Sequence, residues 1–173
     1  MTGKITALRA SKGRGKRINI FLDGKFAFSL EAGVVAKQEL QLEQELSAEQ
    51  IEALVGFDRY QRCLNAATHY LGFRPRSEAE LRKRLQRRGF ESEVQEAVIA
   101  KLKEEGLVDD GTFARYWTDN RESFSPRSRW LTRAELRQKG IANEIIEEVV
   151  NVIDDKASAY KAALSKAHSL RQV

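Results

Sequence analysis

The apolar positions change period once along the chain. Near the start they alternate with polar ones: Ile5 and Ala7, then Arg17-Ile-Asn-Ile-Phe-Leu22, then Lys25-Phe-Ala-Phe-Ser-Leu30. That two-residue period predicts strands. Asp23-Gly24 between the last two runs predicts a two-residue hairpin turn, because both residues tolerate a positive φ. A short helix is expected from about Leu30 to Lys37, and Ser47-Ala-Glu-Gln50 has the form of a capping box opening the next helix. From there onward the period is helical. Tyr60, Cys63, Leu64, Ala67 and Leu71 form one stripe, and Phe113, Tyr116, Trp117 and Asn120 form another.

The helical part repeats. Phe73-Arg-Pro-Arg-Ser77 matches Phe124-Ser-Pro-Arg-Ser128, and the alignment runs on without a gap. Arg82 falls on Arg133, Leu85 on Leu136, Gly89 on Gly140, Glu93 on Glu144, Glu96 on Glu147 and Val98 on Val149. Residues 73–102 and 124–153 share ten identities in 30, which marks an internal repeat. In the first copy Ser77-Glu-Ala-Glu80 and Ser92-Glu-Val-Gln95 read as capping boxes, and Gly89 ends the helix between them. In the second, Ser128 opens the middle helix, Gly140 ends it, and Asn143 is expected to cap the third. Asp109 or Asp110 is expected to cap the first helix of that copy. Tyr160, Leu164 and Ala167, each 100 residues after Tyr60, Leu64 and Ala67, suggest a third copy cut short of its Pro-Arg-Ser turn.

The pattern gives a mainly α fold: tandem three-helix repeats in an elongated array, preceded by a small β-hairpin-containing segment. The expected parts are residues 1–56, a β-rich cap with one or two short helices; 57–108, repeat one; 109–155, repeat two; and 156–173, the first helix of an incomplete repeat three. Without a heptad seam, the array reads as monomeric.

Charge sharpens this. The net charge is +5, from 30 Lys+Arg and 25 Asp+Glu, but the charges come in blocks. Residues 4–17 carry six bases and no acid, 74–88 carry seven bases and two acids, and 127–139 carry five bases and one acid. The stretches 31–52, 91–110 and 144–155 are each five charges negative. Two of the basic blocks occupy the same helix of the repeat, so a periodic basic face for a polyanion or an acidic protein is one reading. Pairing between neighbouring helices is the other.

Little else carries chemistry. One cysteine excludes an intramolecular disulfide, and with only His69 and His168 it makes no zinc site, so neither metal nor cofactor is expected. Cys63 sits on an apolar stripe and reads as a buried structural thiol. No apolar run is long enough to span a membrane and no secretory signal is legible, which predicts a cytoplasmic protein. Ser11-Lys-Gly-Arg-Gly-Lys-Arg17 is a basic turn and no phosphate loop, since no Gly-Lys-Ser/Thr follows. Trp117 matches Leu64 and reads as core; Trp130, in place of Ala79, could stack or pack. An enzyme would need a polar constellation, and none is legible; the residues read as a binding protein.

Asp109-Asp-Gly-Thr-Phe-Ala-Arg-Tyr-Trp117, then Pro126-Arg-Ser128, then Glu135-Leu-Arg-Gln-Lys-Gly-Ile141 together resemble the RecX family of bacterial recombinase regulators. Arg76-Ser77, Glu80-Leu81, Leu85 and Gly89-Phe90 are similar to that family's first repeat. The resemblance implies a non-enzymatic modulator that binds RecA and the RecA–single-stranded DNA filament. It would limit filament extension, ATPase, strand exchange and co-protease activity, in recombination, DNA repair and the SOS response. A stand-alone helical DNA-binding module is the rival, and weak direct DNA contact is compatible with both. The expected contacts are Arg74, Arg76, Arg82, Lys83 and Arg87 in repeat one and Arg127, Arg129, Arg133 and Arg137 in repeat two. Lys12, Arg14, Lys16 and Arg17 form a second basic patch. Arg76 and Arg127 have an alternative role, pairing with the acidic third helices to staple each unit.

Overall fold

The structure is a computed structural model that describes residues 2–12 and 16–171. Arg14 of the expected basic patch therefore lies outside the described residues. The chain forms two compact units, Met1–Asn65 and Ala66–Val173. The division falls inside one helix.

In the first unit the predicted strands form. β1 (Gly3–Ala10), β2 (Arg17–Leu22), β3 (Lys25–Glu31) and a two-residue β4 (Glu45–Leu46) make an antiparallel sheet in the order β3-β2-β1-β4. Asp23 and Gly24 take φ of 48° and 78°, the double positive φ that the hairpin turn requires. One face of the sheet turns Ile5, Ile20, Leu22 and Leu30 into a core with Val34 of α1 (Ala32–Lys37) and with Ile51 and Leu54 of α2 (Ala48–Leu71). Each such side chain contributes about 1.5–3 kcal/mol by leaving water. The Ser47 capping box is closed in both directions: the Gln50 amide donates to Ser47 Oγ at 3.3 Å and the Ser47 amide donates to Gln50 Oε1 at 2.8 Å.

The second unit holds two three-helix repeats. After the end of α2, the first continues with α3 (Glu78–Arg87) and α4 (Ser92–Glu104). The second has α5 (Asp110–Phe124), α6 (Arg129–Gln138) and α7 (Asn143–Val150), followed by α8 (Asp155–Arg171). Equivalent residues do equivalent work. Leu85 and Leu136 are fully buried, and Gly89 and Gly140 leave their helices at φ of 80° and 77°. Phe113, Leu136, Ile141, Ile146, Val150 and Ile153 form the core of the second repeat, with Trp117 packed partly against it.

Three sequence expectations are corrected. Ser92 does not cap α4; the cap position is Glu91, and Gln95 folds back to donate to the Phe90 carbonyl at 2.7 Å. Asn143 is likewise inside α7 and accepts instead from Arg137 Nε at 3.2 Å. Finally, α8 forms, but Tyr160 and Leu164 are 67% and 45% exposed while Ser158 is buried. The register of α8 follows Asp154-Asp155, which stand 45 residues after Asp109-Asp110, because α7 is five residues shorter than α4 (8 against 13) and the turn after it is one residue shorter.

Candidate anion-facing groove of the helical repeats

Ser77 ties one repeat to the other. It is buried at the head of α3, where its hydroxyl accepts from the Glu80 amide at 3.1 Å and donates to the Lys139 carbonyl at 2.7 Å. That carbonyl is one of the unsatisfied acceptors at the C-terminal end of α6, so a single side chain serves both helix ends. Gly140 follows immediately, and a Cβ there would overlap the Ala79 Cβ. No such neighbour stands near Gly89.

Around this contact lies a neutralised network. Glu80 accepts from both guanidinium nitrogens of Arg74, at 3.1 and 3.2 Å, and from Lys139 Nζ at 2.6 Å. Burial pushes the Glu80 carboxyl up, but the bonds from Arg74 and Lys139 outweigh it and hold the group below the usual carboxylate range. Trp117 is the centre: Lys139 and Arg121 lie 4.7 Å over its ring and Arg74 lies 5.9 Å over it. Its indole N–H and Arg121 Nε both donate to Glu135, at 2.8 and 2.7 Å. Trp117 thus combines its core position with a cation-binding face.

Outside the network, α3 and the end of α6 form a groove of about 440 Å³. Lys83, Arg84, Arg87, Arg137 and Lys139 line it, against Glu80 alone. Lys83 and Arg87 are exposed, and among the described residues neither has a carboxylate partner. Tyr70 forms one wall, with Arg84 stacked at 5.4 Å and Arg76 at 4.2 Å from its ring centre. Arg76 Nε is buried without a hydrogen-bond partner. Guanidinium groups held over a ring are pre-organised donors for phosphate or carboxylate.

The expected contact residues therefore divide. Lys83, Arg87 and Arg137 meet in the groove, while Arg127 is exposed beside Phe124 and Lys166 on another surface. Arg82 and Arg133 are staples within their repeats. Arg82 bridges Glu96 of α4 and Glu78, the latter at 2.9 Å, and Arg133 grips Glu147 of α7 through two bonds of 2.7 and 2.8 Å. Arg76 and Arg127, for which stapling is the alternative to contact, make no such pair among the described residues; that role falls to the arginines six positions on. Arg74 belongs to the Glu80 network. Arg129 donates to the Ile153 carbonyl at 2.6 Å. In the N-terminal unit Lys12 and Lys16 are exposed, whereas Arg17 is bound to Asp58 at 3.2 Å and to Ser29.

Sequence reasoning missed Tyr70, Arg84 and Lys139. A signal existed for one: Lys83, Arg84 and Arg87 share a helix face by their spacing of three and four. Nothing in the sequence places Tyr70 or Lys139 beside them. Trp130, left open by its pattern, is 74% exposed. Cys63 is buried, and burial pushes its thiol up to about 11. No cluster of three or more metal-ligating side chains occurs among the described residues, and none of their helices is long and apolar enough to cross a membrane.

Fold and groove define a class: a small antiparallel sheet followed in the chain by tandem three-helix repeats, with a cationic groove between the middle helices. Three family models match in sequence order. They are the Regulatory protein RecX N-terminal domain over residues 3–47, the RecX first three-helix domain over 63–102, and the RecX second three-helix domain over 109–150. The Regulatory protein RecX of Lactobacillus johnsonii is 32% identical over 96% of this chain, which spans 60% of that protein. That of Clostridium botulinum is 29% identical over 98% of the chain, which spans 80% of it. A crystal structure of regulatory protein RecX superposes with a TM-score of 0.68 at 28% identity, covering 99% of this chain and 85% of that one. The chain belongs to the RecX family of regulatory proteins.

Proposed function

We propose that the chain is a regulator that binds RecA and the RecA–single-stranded DNA filament, restraining filament extension and with it ATPase, strand exchange and co-protease activity. Membership of the RecX family supports RecA as the partner, and the groove supplies the observation that carries the reading. Lys83 and Arg87 of one repeat and Arg137 of the next converge on one surface with no carboxylate of their own. Holding cations apart from available glutamates costs favourable pairing, so the arrangement suits an anionic partner surface. Arg82 and Arg133 are spent on internal bridges that tie each middle helix to the third helix of its repeat.

The test is RecA's DNA-dependent ATPase with the chain added below stoichiometry. Inhibition is expected, and it should weaken sharply for the triple variant Lys83→Glu, Arg87→Glu, Arg137→Glu. Unchanged ATPase together with no co-sedimentation with filaments would overturn the proposal. The same free cations suit phosphates directly, which supports a stand-alone DNA-binding module as the second reading. Tight binding to bare DNA at about 0.15 M salt, without RecA, would favour it.

A further inference from the structure

We propose that the outer face of the N-terminal sheet is a stacking platform for the bases of single-stranded nucleic acid. The core uses only the other face, through Ile5, Ile20, Leu22 and Leu30. On the outer face the strand register brings Phe21 opposite Phe26 and Arg9 opposite Asn19. The two rings meet edge to face, with centroids 5.9 Å apart, and the Arg9 guanidinium lies 5.0 Å over Phe21. Phe26 is 59% exposed, so one whole aromatic surface faces solvent outside the core.

A cross-strand aromatic pair beside a hairpin turn has a structural use of its own. It accounts for Phe21, which is half-buried. It does not account for the cations along the same strands. Arg9 lies over Phe21, Lys25 adjoins Phe26 in β3, and Lys12 and Lys16 stand at the opposite end of the β1–β2 pair from the Asp23-Gly24 turn; all four are exposed, and among the described residues none has a carboxylate partner. Asp23 accepts from the Lys4 amide at 3.1 Å and Glu31 accepts from the Asn65 side chain at 3.4 Å, and among the described residues neither forms an ion pair with these four cations. An exposed ring on a strand pair that carries free cations matches a flexible polyanion whose bases can unstack, since every base has a face to offer an aromatic ring. Duplex DNA hides those faces. An acidic protein segment would satisfy the cations but would leave the rings without a partner.

The experiment measures binding of the full chain to three labelled ligands by fluorescence anisotropy: an oligothymidylate, an abasic strand with the same number of phosphates, and a duplex. Phosphate contacts anywhere on the molecule, the α3/α6 groove included, serve the thymidine and abasic strands equally, so their difference isolates stacking. The base-bearing strand is expected to bind about tenfold more tightly than the abasic one. Phe26→Ala and Phe26→Leu should each abolish that preference while leaving affinity for the abasic strand unchanged, and Phe26→Trp should keep it. The leucine variant retains an apolar partner for Phe21, which separates stacking from loss of the hairpin. Equal binding of the two strands, a preference that survives in both variants, or binding to neither would overturn the proposal.

Discussion

Gly140, one residue past the end of the α6 cap, is pressed against Ala79 at the head of α3 so closely that no side chain fits between them. Gly89 holds the same place in the first repeat, at nearly the same φ, with open space around it. The two glycines therefore separate backbone strain from packing. Gly89→Ala should cost about 1–2 kcal/mol, from alanine forced to a positive φ. Gly140→Ala carries that cost plus about 1–3 kcal/mol of overpacking at the inter-repeat contact. Urea unfolding of both variants checks the difference, and equal losses would mean that the Ala79 contact relaxes freely.

A second inter-repeat device is repeated. Asp110 of α5 accepts from the Glu78 amide at the start of α3, at 2.9 Å, and Asp155 of α8 accepts from the Arg129 amide at the start of α6, at 2.7 Å. Each carboxylate caps the helix of the preceding unit, while its neighbour Asp109 or Asp154 accepts from amides of its own helix. Asp110→Ala and Asp155→Ala should each cost about 1 kcal/mol, the usual loss for a helix cap. Burial pushes the Asp110 carboxyl above its ordinary value of 3.8, opposed by the bond from the Glu78 amide. A raised folded value penalises the ionised form in the native state, so that penalty enters as pH rises through it. Asp110→Asn keeps an acceptor oxygen and never ionises. Its unfolding free energy, relative to the parent's, should therefore improve between acid and neutral pH.

Glu80 behaves in the opposite sense. Its folded carboxyl lies below the ordinary value of 4.5 because Arg74 and Lys139 outweigh the cost of burying it. A depressed value means stabilisation that is fully present above 4.5 and lost as pH falls through the folded value. Glu80→Gln should thus be markedly less stable than the parent at neutral pH, and the gap should close below 4.5. Thermal unfolding across that range is the measurement; a gap independent of pH would remove the charge from the explanation.

The architecture was legible because it rests on pattern. The change of apolar period, Asp23-Gly24, Ser47, Ser77 and Ser128 all act through their immediate neighbours, and each forms the turn or cap that local chemistry dictates. Ser92 and Asn143 misled for a local reason as well: each is the first residue of a helix whose cap, Glu91 or Ala142, is extended and makes no side-chain cap bond. The site was less legible, because an arginine that binds outward and one that staples inward look identical in sequence. One clue did exist. Arg82 with Glu96 and Arg133 with Glu147 are both shared between the repeats at the same spacing of 14, as a recurring ion pair requires. The Asp154-Asp155 match was hidden by the shorter α7 and its shorter following turn, which together shift the repeat length from 51 to 45.

That division between staples and groove yields a double dissociation. Arg82→Ala and Arg133→Ala remove the bridges to the third helices and should lower the unfolding midpoint, with binding weakened only as far as folding is. Lys83→Glu with Arg87→Glu should leave the midpoint near the parent's, since neither side chain has a carboxylate partner to lose among the described residues. Under the proposed function, the same double variant should weaken binding to the RecA–DNA filament. If the groove meets DNA phosphates, it should also lower the slope of log affinity against log salt by about one for each contact removed. A groove that meets an acidic protein surface would instead show weakened binding with a shallow salt slope in the parent. Loss of stability in the groove variant, or intact filament binding by it, would place the partner surface elsewhere on the repeats.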